Sequence, residues 1–264
     1  MANLLNSAQD FITDSLERIK IARLNLEACR KAKLSTAFKL AMDYIRSGME
    51  LLGSDHWSHH YDLSLQIYNA AAEVAYCYKD FTYMEKTILQ IWQNASCMLH
   101  KVYSYSIQIK AYNDKCMHEE AVKTALHVLD KLGENIPSNP TDACIKQEIC
   151  NALAMKTVNT ENVTAMPIME DKIVLASMQV LSDITLSCYF SQPSLLPVVA
   201  LQMVKLTYSY GLSKYSACAF ALFGLTLYSR MNTRDGYRFC QLSLLLLDKI
   251  PAKEFLPRIY VLIY

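Results

Sequence analysis

His56, His59 and His60, with Asp55 and Asp62 beside them, are the densest cluster of ligand-type side chains in this sequence. Imidazoles and carboxylates bind divalent metals, and His56 and His60 sit four apart, a spacing that shares one face of a helix. The same residues equally suit a polar connection leading into a helix. Other chemistry has thinner support. Glu119-Glu120 and Glu170-Asp171 are adjacent carboxylates, but helical neighbours diverge by about 100° and cannot face each other for acid–base work. Cys144 and Cys150 have no nearby histidine in sequence to activate a thiolate. Six scattered glycines cannot build a phosphate-cradling loop, and H-E-x-x-H, G-x-S-x-G, H-R-D and D-F-G are all absent. The expectation is therefore a non-catalytic chain without cofactor. A small helical metal-binding protein or enzyme using His56, His59 and His60 is the competing reading.

Composition narrows the class further. The 264 residues are 52% hydrophobic and 19% charged, with 26 basic against 25 acidic side chains. Only six Gly and seven Pro occur, which argues against a turn-rich β protein. Seven basic residues lie between Arg18 and Lys39, opposed by Glu17 and Glu27, for a local net charge of +5. Such a run is either a solvated helix face or a dock for an acidic partner or a phosphate backbone. It lacks the interleaved aromatics that single-stranded nucleic acid would stack on, so no nucleic acid is expected. No secretory leader and no run of about 18 apolar residues is visible, so no membrane span is expected. Nine cysteines, an odd number without a C-x-x-C pair, read as free thiols in a reducing cytoplasm. The sequons at Asn94 and Asn162 are then coincidental.

Helical periodicity dominates the chain. Leu16–Ala32 repeats apolar residues at helical steps, and Ser35 is placed to cap a second helix whose inner face carries Leu40, Ala41, Tyr44, Ile45, Met49 and Leu52, with Gly53 at its end. Tyr61–Tyr78 and Phe81–Ala95 form a second pair turning at Asp80. Met98–Asn113 and Met117–Leu132 form a third, closed by Gly133. Ala37, Met84 and Ala121 are read as equivalent positions, spaced by about 47 and 37 residues, which fits helical-hairpin repeats.

Glu134–Thr141, with Pro137 and Pro140, breaks the array. The domains read as 1–133, a linker at 134–141, and further hairpins over 142–264. Thr141 or Asp142 starts a helix to about Met155, Thr157–Asp171 reads as a long loop, and four more helices end at Pro251. Between Ile173 and Ser229 only Asp183, Lys205 and Lys214 are charged. Helices so apolar must be covered on more than one face, by each other or by protein elsewhere, and the bare Ile259–Tyr264 end points the same way.

The tyrosines Tyr61, Tyr68, Tyr105 and Tyr112 fall on the first helices of successive pairs, which line the inner surface of a hairpin array. There they serve interhelical packing or partner binding. With Arg23 and Arg30 they are the candidate partner-binding residues.

Lys31-Ala32-Lys33-Leu34-Ser35-Thr36-Ala37, followed by Tyr44, Gly48, Glu50-Leu51-Leu52-Gly53, Asp55, Trp57 and Tyr61, resembles the helical region of very large signalling proteins. Asp80-Phe81, Ile109-Lys110-Ala111-Tyr112, Leu132-Gly133, Leu196-Pro197, Gly236-Tyr237 and Ala252-Lys253-Glu254 extend the resemblance over nearly the whole chain. Those proteins join a serine/threonine-kinase-like domain, an AAA, Orc1-like ATPase, a tetratricopeptide-like helical region, GAF sensors and a histidine kinase. The resemblance implies an all-α, tetratricopeptide-like array of antiparallel helical hairpins, an α-solenoid of about eleven helices. It implies a cytoplasmic interaction or relay module, a fragment of a signalling ATPase/kinase, whose partner is a protein, a peptide or a neighbouring domain. A stand-alone adaptor is the alternative. The family has a glycine before the turn aspartate where this chain has Lys79.

Overall fold

Three helix-to-helix turns share one backbone device. In the computed structural model, which describes residues 6–7, 11–154, 160–230, 233–250 and 252–263, Thr36, Lys79 and Cys116 stand at φ of 57°, 65° and 57°. Each follows a first helix and precedes a second: α1 (Ser15–Leu34) and α2 (Phe38–Glu50), α3 (Tyr61–Cys77) and α4 (Phe81–Asn94), α5 (Met98–Asp114) and α6 (His118–Leu132). The next residue donates its N–H five residues back, Ala37 to Ala32, Asp80 to Ala75 and Met117 to Tyr112, at 2.8–2.9 Å. That pairing satisfies carbonyls a helix end would leave bare. Lys79 takes the left-handed position its glycine-bearing counterparts suggest, with its ammonium 5.2 Å from the Tyr76 ring and 5.7 Å from the Phe81 ring.

These turns correct the repeat register. Five residues after each left-handed residue come Ala41, Met84 and Ala121, all fully buried, so Ala41 and not Ala37 is the equivalent position. Ala37 is the N-cap of α2 and makes no side-chain cap bond, whereas Ser35 closes α1. Leu16, Leu24 and Leu40 are exposed. Met42 takes the inner-face place expected of Leu40.

The chain divides into two compact units, 1–111 and 112–264, so Glu134–Thr141 lies inside the second. In the first, α1 packs on α2, α2 on α3 and α3 on α4. Small residues, Ala22, Ala41, Ala71, Ala72 and Ala75, let the helices approach while Met42, Ile45, Ile67, Met84, Ile88 and Ile91 fill the space between them. Asn25, buried among these, exchanges two 2.8 Å hydrogen bonds with Asn6.

In the second unit α6 packs against α8 (Lys172–Ser191), which packs against α9 (Leu196–Tyr210). Helix α10 (Ser216–Arg230) lies against α9, α11 (Thr233–Lys249) and α12 (Leu256–Ile263). Helix α7 (Asp142–Ala154) touches α9, and the Thr141 hydroxyl accepts the Cys144 N–H at its start. By length and composition α8 could cross a membrane, yet 61% of its apolar window is buried among these helices. Every residue of α10 from Ser216 to Gly224 is buried, as its lack of charge requires. The expected ends at Met155 and Pro251, and Tyr264, fall outside the described residues. The segment read as a loop over Thr157–Asp171 holds a short helix, Thr160–Ala165, and the one β-bridge among the described residues, Ile168 to Leu212. Gly211, at φ 103°, fits there because an added Cβ would lie 2.4 Å from the Pro167 oxygen.

Helices α10 and α11 meet most closely at two glycines. A Cβ on Gly236 would stand 2.8 Å from the Tyr228 nitrogen and 2.9 Å from the Gly224 oxygen, both backbone. Gly236→Ala is expected to cost about 1–3 kcal/mol through forced separation of the helices, despite alanine's better helix propensity. Thr36→Gly should do the reverse and add about 0.5–1 kcal/mol, because a β-branched residue is strained at positive φ. Urea unfolding midpoints check both, and a raised midpoint for the first or a lowered one for the second contradicts the packing described.

Candidate functional site

Helix α3 is built mostly of apolar and small residues, yet Gln66, Asn69 and Glu73 recur at intervals of three and four, one polar stripe on one face. Opposite them, α1 presents Arg30 and Lys33. Together with Tyr103 of α5 these side chains line a cavity of about 240 Å³ floored by Cys29, Ala70 and Val74.

The charges of this groove are paired. Lys33 Nζ lies 2.6 Å from Glu73 Oε2, both side chains only about a quarter exposed. Arg30 reaches Glu27 at 2.6 Å along its own helix and donates across the groove to Gln66 Oε1 at 3.0 Å. The Asn69 Oδ1 atom is buried and has no hydrogen-bond partner. Burial pushes the Cys29 thiol up to about 11, against the opposing pull of Lys33, so near neutral pH the groove floor carries a thiol and not a thiolate.

The structure brings one of the six expected partner-binding residues into this groove, Arg30. Arg23 is exposed elsewhere along α1. The tyrosines tie helices together. Tyr61 accepts the Ser96 N–H at 2.9 Å and its hydroxyl is 2.8 Å from His100 Nδ1. Tyr68 stacks on His56 with ring centroids 5.4 Å apart. Tyr105 stacks on Trp92 at 4.4 Å, while the Trp92 indole N–H bonds the Ser104 hydroxyl at 2.9 Å. Tyr112 is half-buried in the second unit.

The histidine cluster is divided among structural tasks. His56 begins a single helical turn, His56–His59, and is buried. The Ser64 hydroxyl lies within bonding distance of the carbonyls of His56 and His60, at 3.0 and 2.9 Å, and spends its proton there. His56 Nδ1, 2.9 Å from Ser64 Oγ, is then the donor in that contact, leaving Nε2 to face the Tyr68 hydroxyl at 3.4 Å. His59 Nδ1 donates to the Asp55 carbonyl at 3.1 Å. Among the described residues no three His, Cys, Asp or Glu side chains could hold a metal ion together.

A second surface lies in the second unit. Two adjoining hollows of about 440 and 510 Å³ share Leu225, Val261 and Leu262 between α8, α10, α11 and α12. Leu186, Tyr189, Phe190, Tyr228, Tyr237 and Val261 stand exposed around them, a larger apolar patch than scattered surface residues explain.

Comparison with known proteins places the chain in a signalling context. It is 22% identical over 291 residues to hybrid signal transduction histidine kinase G of Dictyostelium discoideum, covering 99% of this chain and 8% of that protein. The chain is thus a distant homologue of a signalling protein and spans a small part of its length. No family model and no solved structure matches it.

His56 supplies a pH test. Burial, and secondarily the neighbouring His60, hold its imidazole below the ordinary value of 6.5. The groups facing it are Trp57, Ser64, His60 and Tyr68. Because the unfolded chain takes the proton first, the stabilisation is complete above about pH 6.5 and is lost as pH falls towards the folded-state value. Urea midpoints measured at several pH values should fall more steeply below pH 6.5 in the wild type than in His56→Gln. Parallel curves would remove His56 from the pH dependence.

Proposed function

We propose that this chain is a non-catalytic, cytoplasmic interaction module of a signalling protein, a tetratricopeptide-like array of helical hairpins that holds a protein segment on its first-helix face. The observation that carries the reading is the groove between α1 and α3, where side chains of three helices converge on a cleft with polar walls and an apolar floor. Three turns of identical backbone form, at Thr36, Lys79 and Cys116, support a repeated hairpin unit. The distant homology to a much longer histidine kinase supports a role inside a larger signalling polypeptide. Neighbouring domains of such a polypeptide would contact the exposed apolar groove of the second unit. The chemistry of the first groove suits recognition: its charges are already matched, and its thiol stays protonated. In this reading the groove binds peptide, with neither nucleic acid nor membrane as partner.

Selection of random dodecapeptides displayed on phage, against the purified chain, tests this. Peptides should be enriched, and Ala70→Trp, which fills the groove floor, should weaken their binding at least about tenfold while leaving helical content unchanged. Enrichment of no peptide, or peptides indifferent to Ala70→Trp, sinks the reading.

A further inference from the structure

The apolar surface of the second unit has a single charge set into it. Its two adjoining hollows share Leu225 of α10 with Val261 and Leu262 of α12, and among the residues lining either hollow only Arg258 is charged. The Arg258 guanidinium is held by α8, donating to the Ser182 carbonyl at 3.0 Å and to the Ser182 hydroxyl at 3.3 Å. Both acceptors are neutral, and a guanidinium has five N–H groups, so its charge and several donors remain to be used. Acids close by do not answer it. Asp183, beside Ser182, lines neither hollow, and Glu254 lies 3.6 Å from Lys214. The rim is ordered as well: Phe190 stacks on His118 with ring centroids 5.0 Å apart and meets Tyr189 edge-on at 5.2 Å.

This chemistry limits what can cover the surface. An extended peptide pressed into it would leave backbone N–H and C=O groups unpaired against leucine, valine and aromatic rings, whereas a helix satisfies its own. The hollows also follow one another along α10, the first reaching Leu222 and the second Tyr228. Those two residues are about 9 Å apart along the helix axis. Apolar side chains one to two turns apart on a second helix would therefore enter both hollows, and a carboxylate on that helix suits Arg258 where a cation does not.

We propose that the second unit docks an amphipathic helix of a neighbouring domain, its apolar residues in the two hollows and an aspartate or glutamate paired with Arg258. The proposal rests on the reading that neighbouring domains contact this surface, and it adds the secondary structure and the charge that they present.

Panning the whole chain against a phage library of helix-forming peptides about four turns long, randomised on one face to Leu, Phe, Ala, Glu, Gln and Lys, tests this. Enriched peptides should carry an acid at one fixed place relative to their apolar residues. Replacing that acid by its amide should weaken binding to the wild type about tenfold. Arg258→Gln, which keeps N–H donors without the charge, should bind the acid and amide peptides within about twofold of each other. Selection against Arg258→Glu should enrich lysine at the same place. Leu225→Lys should weaken every such peptide at least about tenfold, at unchanged helical content, while Ala70→Trp leaves them unaffected. Peptides that depend on Leu225 but show no acid preference, or one that survives Arg258→Gln, overturn this proposal alone. Absence of any peptide that depends on Leu225 overturns the docking of neighbouring domains here as well, and leaves peptides blocked by Ala70→Trp to stand for the first groove. A concentration-dependent dimer in sedimentation, abolished by Leu225→Lys, makes a second copy the occupant and overturns the proposal. Binding to phosphatidylserine-containing vesicles that the same variant abolishes overturns it too.

Discussion

In three of its hairpins the chain reverses direction through the left-handed region of backbone space, where the N–H groups after the first helix reach back to its last carbonyls. Thr36, Lys79 and Cys116 each accept that conformation without being glycine. The turn fixes where the second helix starts and which residue first faces inward, which is why Ala41, Met84 and Ala121 are all wholly buried. The strain at a β-branched or long side chain is of order 1 kcal/mol. Burial of one large apolar side chain is worth about 1.5–3 kcal/mol, so the packing behind each turn outweighs it. Lys79 recovers part of its cost through the Tyr76 and Phe81 rings.

Once α1 and α3 are set side by side in the first unit, their polar faces must also coexist. Unpaired, Arg30 and Lys33 would leave a basic cleft. Glu27 at i−3 from Arg30 and Glu73 across from Lys33 turn it into a neutral one. The Lys33–Glu73 pair is three-quarters shielded and crosses between helices, so it also fixes their separation; the Arg30–Glu27 pair is half exposed and contributes little to stability. The Lys33–Glu73 pair spans the groove, while alanine and valine leave its floor apolar. Against that background one unmet amide oxygen is conspicuous.

Helix existence and type are legible almost throughout, because apolar residues recur at helical steps in the first half and Gly and Pro are few everywhere. Register was less so. With threonine in place of glycine at position 36, nothing in the sequence marks the turn, so Ser35 reads as a cap and Ala37 takes the place of Ala41. Leu16, Leu24 and Leu40 fit an apolar face by spacing alone, yet they lie on the exposed side of their helices. By spacing the tyrosines form a set on first helices, but spacing cannot separate packing from binding, and Trp57, Trp92, His56 and His100 claim Tyr61, Tyr68 and Tyr105. The groove is harder to read from sequence, because Arg30 and Lys33 meet Glu73 only across two helices. Its signal was present: Gln66, Asn69 and Glu73 interrupt an otherwise apolar helix at helical spacing.

The second unit resolves its excess of apolar residues in two opposite ways. At the α10–α11 crossing, glycines on both helices remove side chains altogether, so backbone meets backbone, and Phe220, Phe223 and Phe239 interlock beside it with ring centroids 4.8–5.7 Å apart. Beside that crossing, Leu225 and Tyr228 of α10 line an open hollow together with Gly236, Tyr237 and Val261. The same helix thus packs backbone against backbone at its glycines and leaves apolar side chains exposed in the adjoining hollow. A charge-free sequence such as Tyr215–Ser229 suits both, since burying an unpaired charge at the glycine crossing would be costly and the one charged side chain lining the adjoining hollows, Arg258, comes from α12 and is bonded to Ser182.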